Sequence, residues 1–178
     1  MHNKVVFHAM KMLHSFGFPV LRFNFRGAGL SEGQHDHGRG EVEDVRAALD
    51  WLDSEFHLPM LFCGFSFGAA TGLRASCADD RVKGLISLGT PVAVEGRAYT
   101  YQFLQSCTKP KLFVSGANDQ YSPQASLRSV YETLPGPKEL VFVVGADHFF
   151  EGQLPTMQAA MHHWIEEFFN PTKQVEAS

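Results

Sequence analysis

Apolar residues recur along this chain with two different periods, and the switches between them mark its elements. Val5, Val6, Met10, Met12 and Leu13 fall at helical spacing, which predicts a helix over 3–16 with Asn3 as its cap and Gly17 just past its end. Residues 19–25 alternate and predict a strand. A glycine-rich loop follows through Gly38. Val42, Val45, Leu49 and Leu52 then return with helical period over 40–56, with acidic residues in the first turn. Short apolar runs predict strands over 59–64, 82–88, 110–115 and 139–144. Helices are expected over 67–78, from Ser122-Pro123 to about 134, and over 156–169. Residues 89–109 read as irregular, with Tyr99, Tyr101, Phe103 and Leu104 on a short helix.

Strands thus alternate with helices, and most of the strands are continuous apolar runs. That pattern predicts an α/β fold: a mostly parallel sheet of about five or six strands with helices on both faces. No internal repeat or linker interrupts it. Residues 1–170 are therefore expected to form one domain without a large lid, and 171–178 a frayed tail.

Composition narrows the function. The 178 residues are 44% apolar and 19% charged, with a net charge of −4. No basic patch suggests nucleic acid, and no apolar run reaches the ~20 residues of a membrane span. The first residues lack the pattern of a signal peptide. Cys63, Cys77 and Cys107 are odd in number and lack C-x-x-C spacing, which fits reduced thiols in a cytoplasmic protein. His35-Asp36-His37 lacks a third ligand at metal spacing, and His162-His163 point to different faces of a helix, so no metal is expected. Glu32 stands where a G-x-G-x-x-G motif would need its last glycine, so no nucleotide cofactor is expected.

Chemistry concentrates at Gly64-Phe65-Ser66-Phe67-Gly68, between a predicted strand and a predicted helix. This is G-x-S-x-G in the setting that lifts a serine hydroxyl off the end of a sheet. By composition alone the pattern should arise by chance in roughly one chain of this length in twenty; the flanking elements add the weight. Glycines at minus two and plus two are expected to let neighbouring chain pass closely. The helix beginning after Ser66 aims free N–H groups at the same point, and the Phe67 N–H is one natural donor to an oxyanion.

Working sites of parallel sheets lie beyond the carboxyl ends of the strands. Ser66, Asp119 and His148 each follow one strand. Their roles would be nucleophile, orienting acid and general base. Asp147 is a rival acid, although its place beside His148 in the chain makes a side-on approach awkward.

The chain resembles the α/β-hydrolases, and is similar to small cytoplasmic hydrolases near the dienelactone hydrolases and serine aminopeptidase-like proteins. The resemblance runs from about Asn3 to Phe169. Its marks are the stretch from Leu21 to Gly33, the Ser66 elbow, Ser115-Gly116-Ala117-Asn118-Asp119 and Gly145-Ala146-Asp147-His148-Phe149-Phe150. It implies a Ser66, Asp119, His148 triad and ester or acyl hydrolysis through an acyl-enzyme, with no cofactor. It also implies that Arg26 and Gly27 border the site. Phe65, Tyr99 and Tyr101 are further candidates for contact with a small acyl or ester substrate. Two alternatives stay open: a peptidase or amidase with the same triad, and a silent binding module.

The resemblance carries one departure. Such hydrolases begin with further strands, the third of which supplies another oxyanion donor, and this chain opens where the helix after that strand should begin. In the family's sheet order the missing strand lies between 19–25 and 59–64, leaving a ~10 Å slot between unpaired edges. The two strands could close up, another chain or segment could fill the slot, or the sequence could be a truncation. Pairing through the exposed edge would make a homodimer.

Overall fold

The computed structural model describes residues 3–169. In chain order the elements are α1 (Lys4–Ser15), α2 (Gly40–Phe56), β1 (Met60–Phe65), α3 (Phe67–Ser76), β2 (Val82–Leu88), a 3₁₀ turn (Gln102–Ser106), β3 (Lys111–Gly116), α4 (Gln124–Glu132), β4 (Lys138–Val143) and α5 (Leu154–Phe168). The strands form one sheet in the order β1-β2-β3-β4, and every pair is parallel. Parallel neighbours need a crossover; α3 supplies it between β1 and β2, and α4 between β3 and β4.

Side chains of a strand alternate between faces, and the two cores follow from that. Ile86, Leu88, Leu112 and Val114 face α1 and α5, where they meet Val5, Ala9, Met157, Met161 and Trp164. Leu85 and Phe113 point the other way, towards Val42, Val45 and Leu49 of α2, Leu73 of α3 and Leu127 of α4. The strands are thus buried on both sides, which is why they read as continuous apolar runs. At the start of α1 the Asn3 side chain accepts the Val6 N–H at 3.2 Å, and Gly17 follows the helix at φ +83°.

Residues 19–25 correct the expected strand count. The sheet has four strands, and no ladder joins 19–25 to β1 or to any other strand among the described residues. Their alternation suits a pleated, half-buried surface, but a strand exists only where a partner lies ~4.8 Å away. Beyond the free edge of β1 there is a cavity instead, walled on its far side by the chain at Phe18, Pro19, Val20, Leu21 and Arg22. The two segments do not close up. The tail expected at 171–178 lies outside the described residues.

Candidate active site

Parallel register brings the strand ends to one rim. Phe65 pairs with Leu88, Leu88 with Val114, and Gly116 with Val143. The chain just beyond β1, β3 and β4 carries Ser66, Asp119 and His148.

Ser66 sits on the turn into α3 at φ +53° and ψ −124°. That conformation is strained for a residue with a Cβ and persists only where the surroundings hold it. Gly64 is part of what holds it: a Cβ there would stand 2.7 Å from the Ala69 Cα and 2.8 Å from the Gly68 carbonyl oxygen. Gly68 differs from expectation. A Cβ there would meet only the Phe25 ring, at an ordinary 3.7 Å. The close passage happens on one side of the elbow only.

Ser66 Oγ lies 2.9 Å from His148 Nε2, and His148 Nδ1 lies 2.8 Å from Asp119 Oδ2. An ionised carboxylate can only accept, so Nδ1 carries the proton and donates to Asp119, while Nε2 is left to accept from the Ser66 hydroxyl. Asp119 is itself pinned. Its Oδ1 accepts the Tyr121 N–H at 2.8 Å and the Ser122 N–H at 3.1 Å. Asp119 and His148 are buried, at 3% and 5% exposure, so their contact is shielded from water.

Two glycines let these loops meet. A Cβ on Gly116 would collide with the carbonyl oxygens of Ala146 and Asp147, so its absence lets the end of β3 abut the loop that carries His148. A Cβ on Gly89 would stand 3.2 Å from His148 Cε1. The rival acid is occupied elsewhere: Asp147 Oδ1 accepts the N–H groups of Phe149 and Glu151, both at 3.0 Å, and braces its own turn.

The Phe67 N–H, the first of α3, has no hydrogen-bond partner among the described residues. It remains available beside Ser66. Three rings surround the imidazole: Phe65 at 4.9 Å between centroids, Tyr121 at 4.8 Å and Phe149 at 5.2 Å. Phe65 is among the expected contacts. Tyr121 and Phe149 are not, although each stands next to or two residues from a residue of the Ser–His–Asp set.

The remaining candidates sit in other roles. Arg26 forms a fork with Asp44 of α2, Nη2 to Oδ1 at 2.7 Å and Nε to Oδ1 at 3.0 Å, and its backbone N–H donates to Oδ2 at 2.9 Å. This hydrogen bonding raises the Arg26 pKa and lowers that of Asp44. Arg26 is therefore an anchor for its loop rather than a free cation at the rim. Gly27 makes the turn at φ +70°, where a Cβ would stand 3.1 Å from the backbone of Gln34 and His35. Tyr101 is buried in the α2–α3 core with its hydroxyl donating to the Pro91 carbonyl at 2.7 Å, so it is not a substrate contact. Tyr99 lines a second cavity of about 380 Å³, where Arg97 lies over both Tyr99 and Phe67.

His35-Asp36-His37 belongs to the cap of α2. Buried Glu41 accepts the N–H groups of Asp36 and Gly38, both at 2.8 Å, and lies 2.6 Å from His35 Nδ1. Asp36 accepts the Gly40 N–H at 3.0 Å in return. Burial alone would push the Glu41 carboxyl up, but the backbone N–H donors outweigh it and hold the group below its usual value. Burial pushes the Cys63 thiol up to about 12, which leaves it a poor nucleophile beside Ser66.

The model of the alpha/beta hydrolase domain family matches residues 1–173. The chain belongs to the α/β-hydrolase family. An uncharacterised protein of Rickettsia prowazekii is 33% identical over 172 residues, which cover 93% of this chain and 72% of the relative. An alpha-beta serine hydrolase homologue from Coxiella burnetii is 36% identical with a TM-score of 0.82, covering 92% of this chain and 76% of that one. An α/β serine hydrolase without a lid from Xanthomonas campestris is 34% identical with a TM-score of 0.83, covering 94% and 75%. Among the described residues of this α/β-hydrolase chain, no helix is long and apolar enough to cross a membrane.

Proposed function

We propose that this chain is a serine hydrolase that cleaves carboxylic esters or related acyl compounds through an acyl-enzyme. The observation that carries the reading is the continuous relay from Ser66 Oγ through His148 to Asp119, at 2.9 and 2.8 Å, with the serine held at φ +53°. Ser66 Oγ attacks the acyl carbon while His148 Nε2 takes its proton. The imidazolium is stabilised by Asp119 and returns the proton to the leaving alcohol as the carbon–oxygen bond breaks. Water then repeats the sequence on the acyl-Ser66 ester. The Phe67 N–H faces the developing oxyanion.

The rings of Phe65, Tyr121 and Phe149 favour apolar groups next to the reacting atoms. The kinship with serine hydrolases from Coxiella and Xanthomonas supports the same reaction class. One oxyanion donor is identified among the described residues, and a missing donor typically costs ~10²–10³ in turnover. Slow turnover on an intact relay is the expectation. Labelling with a fluorophosphonate probe tests it, wild type beside Ser66→Ala. Wild-type labelling that vanishes in the variant supports the hydrolase. A folded wild type that does not label favours a silent binding module.

A further inference from the structure

The second cavity, of about 380 Å³, lies against the face of α3 that carries Phe67, Ala70, Thr71 and Arg74 at helical spacing. Gly38 and Arg39, on the turn into α2, form another wall, and the loop 97–100 closes a third side. None of Ser66, Asp119 and His148 lines it.

Its charge is one-sided. Arg39, Arg74 and Arg97 line it and no acidic residue does among the described ones, in a chain with 19 acidic residues against 15 basic. Arg39 pairs with Asp36 at 3.2 Å, but neither Arg74 nor Arg97 has a carboxylate partner among the described residues. Both are positioned by other means. Arg97 lies over the rings of Phe67 and Tyr99, 4.5 and 5.1 Å from their centroids. Arg74 lies over Phe103 at 4.9 Å, and its Nη2 donates to Thr100 Oγ1 at 3.4 Å. Stacking occupies the face of a guanidinium and leaves the in-plane N–H groups free to donate. Thr71 points to a ligand independently. It is 4% exposed and lines the cavity, yet its hydroxyl makes no hydrogen bond with any described residue. A hydroxyl so buried normally has a partner. The two kinds of donor converge: a Cβ on Gly38 would stand 3.5 Å from Arg97 Nη2 and 3.8 Å from Thr71 Oγ1, and its absence leaves that point open between them.

We propose that this cavity binds a small organic phosphate monoester, its phosphate oxygens on Arg97, Arg74 and Thr71 and its carbon body against Val42, Phe67 and Tyr99. The donor set selects that occupant. Two cations without a carboxylate match a dianion, and guanidinium forks fit phosphate oxygens. The hydroxyl adds a neutral donor, and the apolar lining takes a body that an inorganic ion lacks. The volume falls in the roughly 300–1,000 Å³ range of small-molecule sites. The inference does not rest on the hydrolase reading, because the site uses neither Ser66 nor its relay.

The test is calorimetric titration of the chain with phenyl phosphate at constant ionic strength, beside benzoate, inorganic phosphate and benzyl alcohol. The proposal expects saturable binding of one phenyl phosphate, at least about fivefold tighter than benzoate or inorganic phosphate, and no binding of the alcohol. Arg97→Gln and Arg74→Gln should each weaken it by at least about tenfold, and Thr71→Val, which keeps the shape, by about three- to tenfold. Arg46→Gln, which removes an exposed cation outside the cavity, should leave it within about twofold. Thermal melts of each variant show that it folds. No saturable binding by folded wild type overturns the proposal. So does equal binding of benzoate or of benzyl alcohol. Unchanged binding by folded Arg97→Gln and Thr71→Val would overturn it too, as would an equal loss in Arg46→Gln and Arg97→Gln.

Discussion

The rim of the sheet and the free edge of β1 meet at Ser66, yet they are built to different degrees of completion. At the rim, loops distant in sequence close on one another. Gly116 admits the carbonyls of Ala146 and Asp147, Gly89 admits the His148 ring, and each oxygen of Asp119 has a partner. Along the free edge, the segment that should supply a partner stands off across a cavity. The rim needs only turns that place three side chains. Along the edge, no described residue pairs with β1. The Ser66–His148–Asp119 contacts are set by packing among β1, β3, β4 and their loops, and the free edge of β1 takes no part in them.

Substitutions can break that contrast, and the largest effect is expected at the acid. Asp119→Asn keeps the shape but favours the wrong imidazole tautomer, and should lower kcat on an activated ester by about 10⁴. Asp147→Asn, which touches only its own turn, should stay within about twofold. Equal losses in the two variants, measured by steady-state kinetics, would refute the assignment of Asp119.

Stability effects come next. Gly116→Ala drives a Cβ into backbone that cannot yield, and should cost about 3 kcal/mol in denaturant unfolding, with loss of activity as the loops separate. Glu41→Gln should cost about 1–2 kcal/mol at neutral pH, because charge-assisted bonds to the Asp36 and Gly38 amides become neutral ones. The folded chain holds the Glu41 carboxyl below its ordinary value near 4.5, so the ionised group favours the fold above that pH. That contribution is lost as the pH falls below it, and the gap between wild type and Glu41→Gln should narrow from pH 6 to pH 3 in urea titrations. The smallest effect belongs to Gly68→Ala. The site has room and lies in a helix, so stability should hold or rise by about 0.5–1 kcal/mol, in contrast to a clear loss for Gly64→Ala.

The rim was legible in the sequence because its signals are local. A glycine-flanked serine between strand and helix, and an acid and a histidine just past later strands, are each visible within a few residues, and these are the groups the fold brings together. Partnerships across the chain were not. Arg26 lies in a stretch that resembles a site loop, but its partner Asp44 is eighteen positions on, across a turn that only the folded chain closes. Tyr101 reads slightly better as pocket wall than as core, and burial decides for core. Tyr121 and Phe149 carry no pattern of their own, and only the closure of the loops places their rings on His148. Residues 19–25 have the alternation of a strand, yet pairing depends on a neighbour that no local pattern encodes.

The most direct measurement traps the intermediate. The chain is mixed with p-nitrophenyl butyrate, quenched in acid within the first turnover, and digested for peptide mass spectrometry. The account predicts a single butyryl group on the peptide containing Ser66, and its absence from His148→Ala quenched at the same time. Acylation of another residue, or equal acylation of Ser66 without His148, would contradict it.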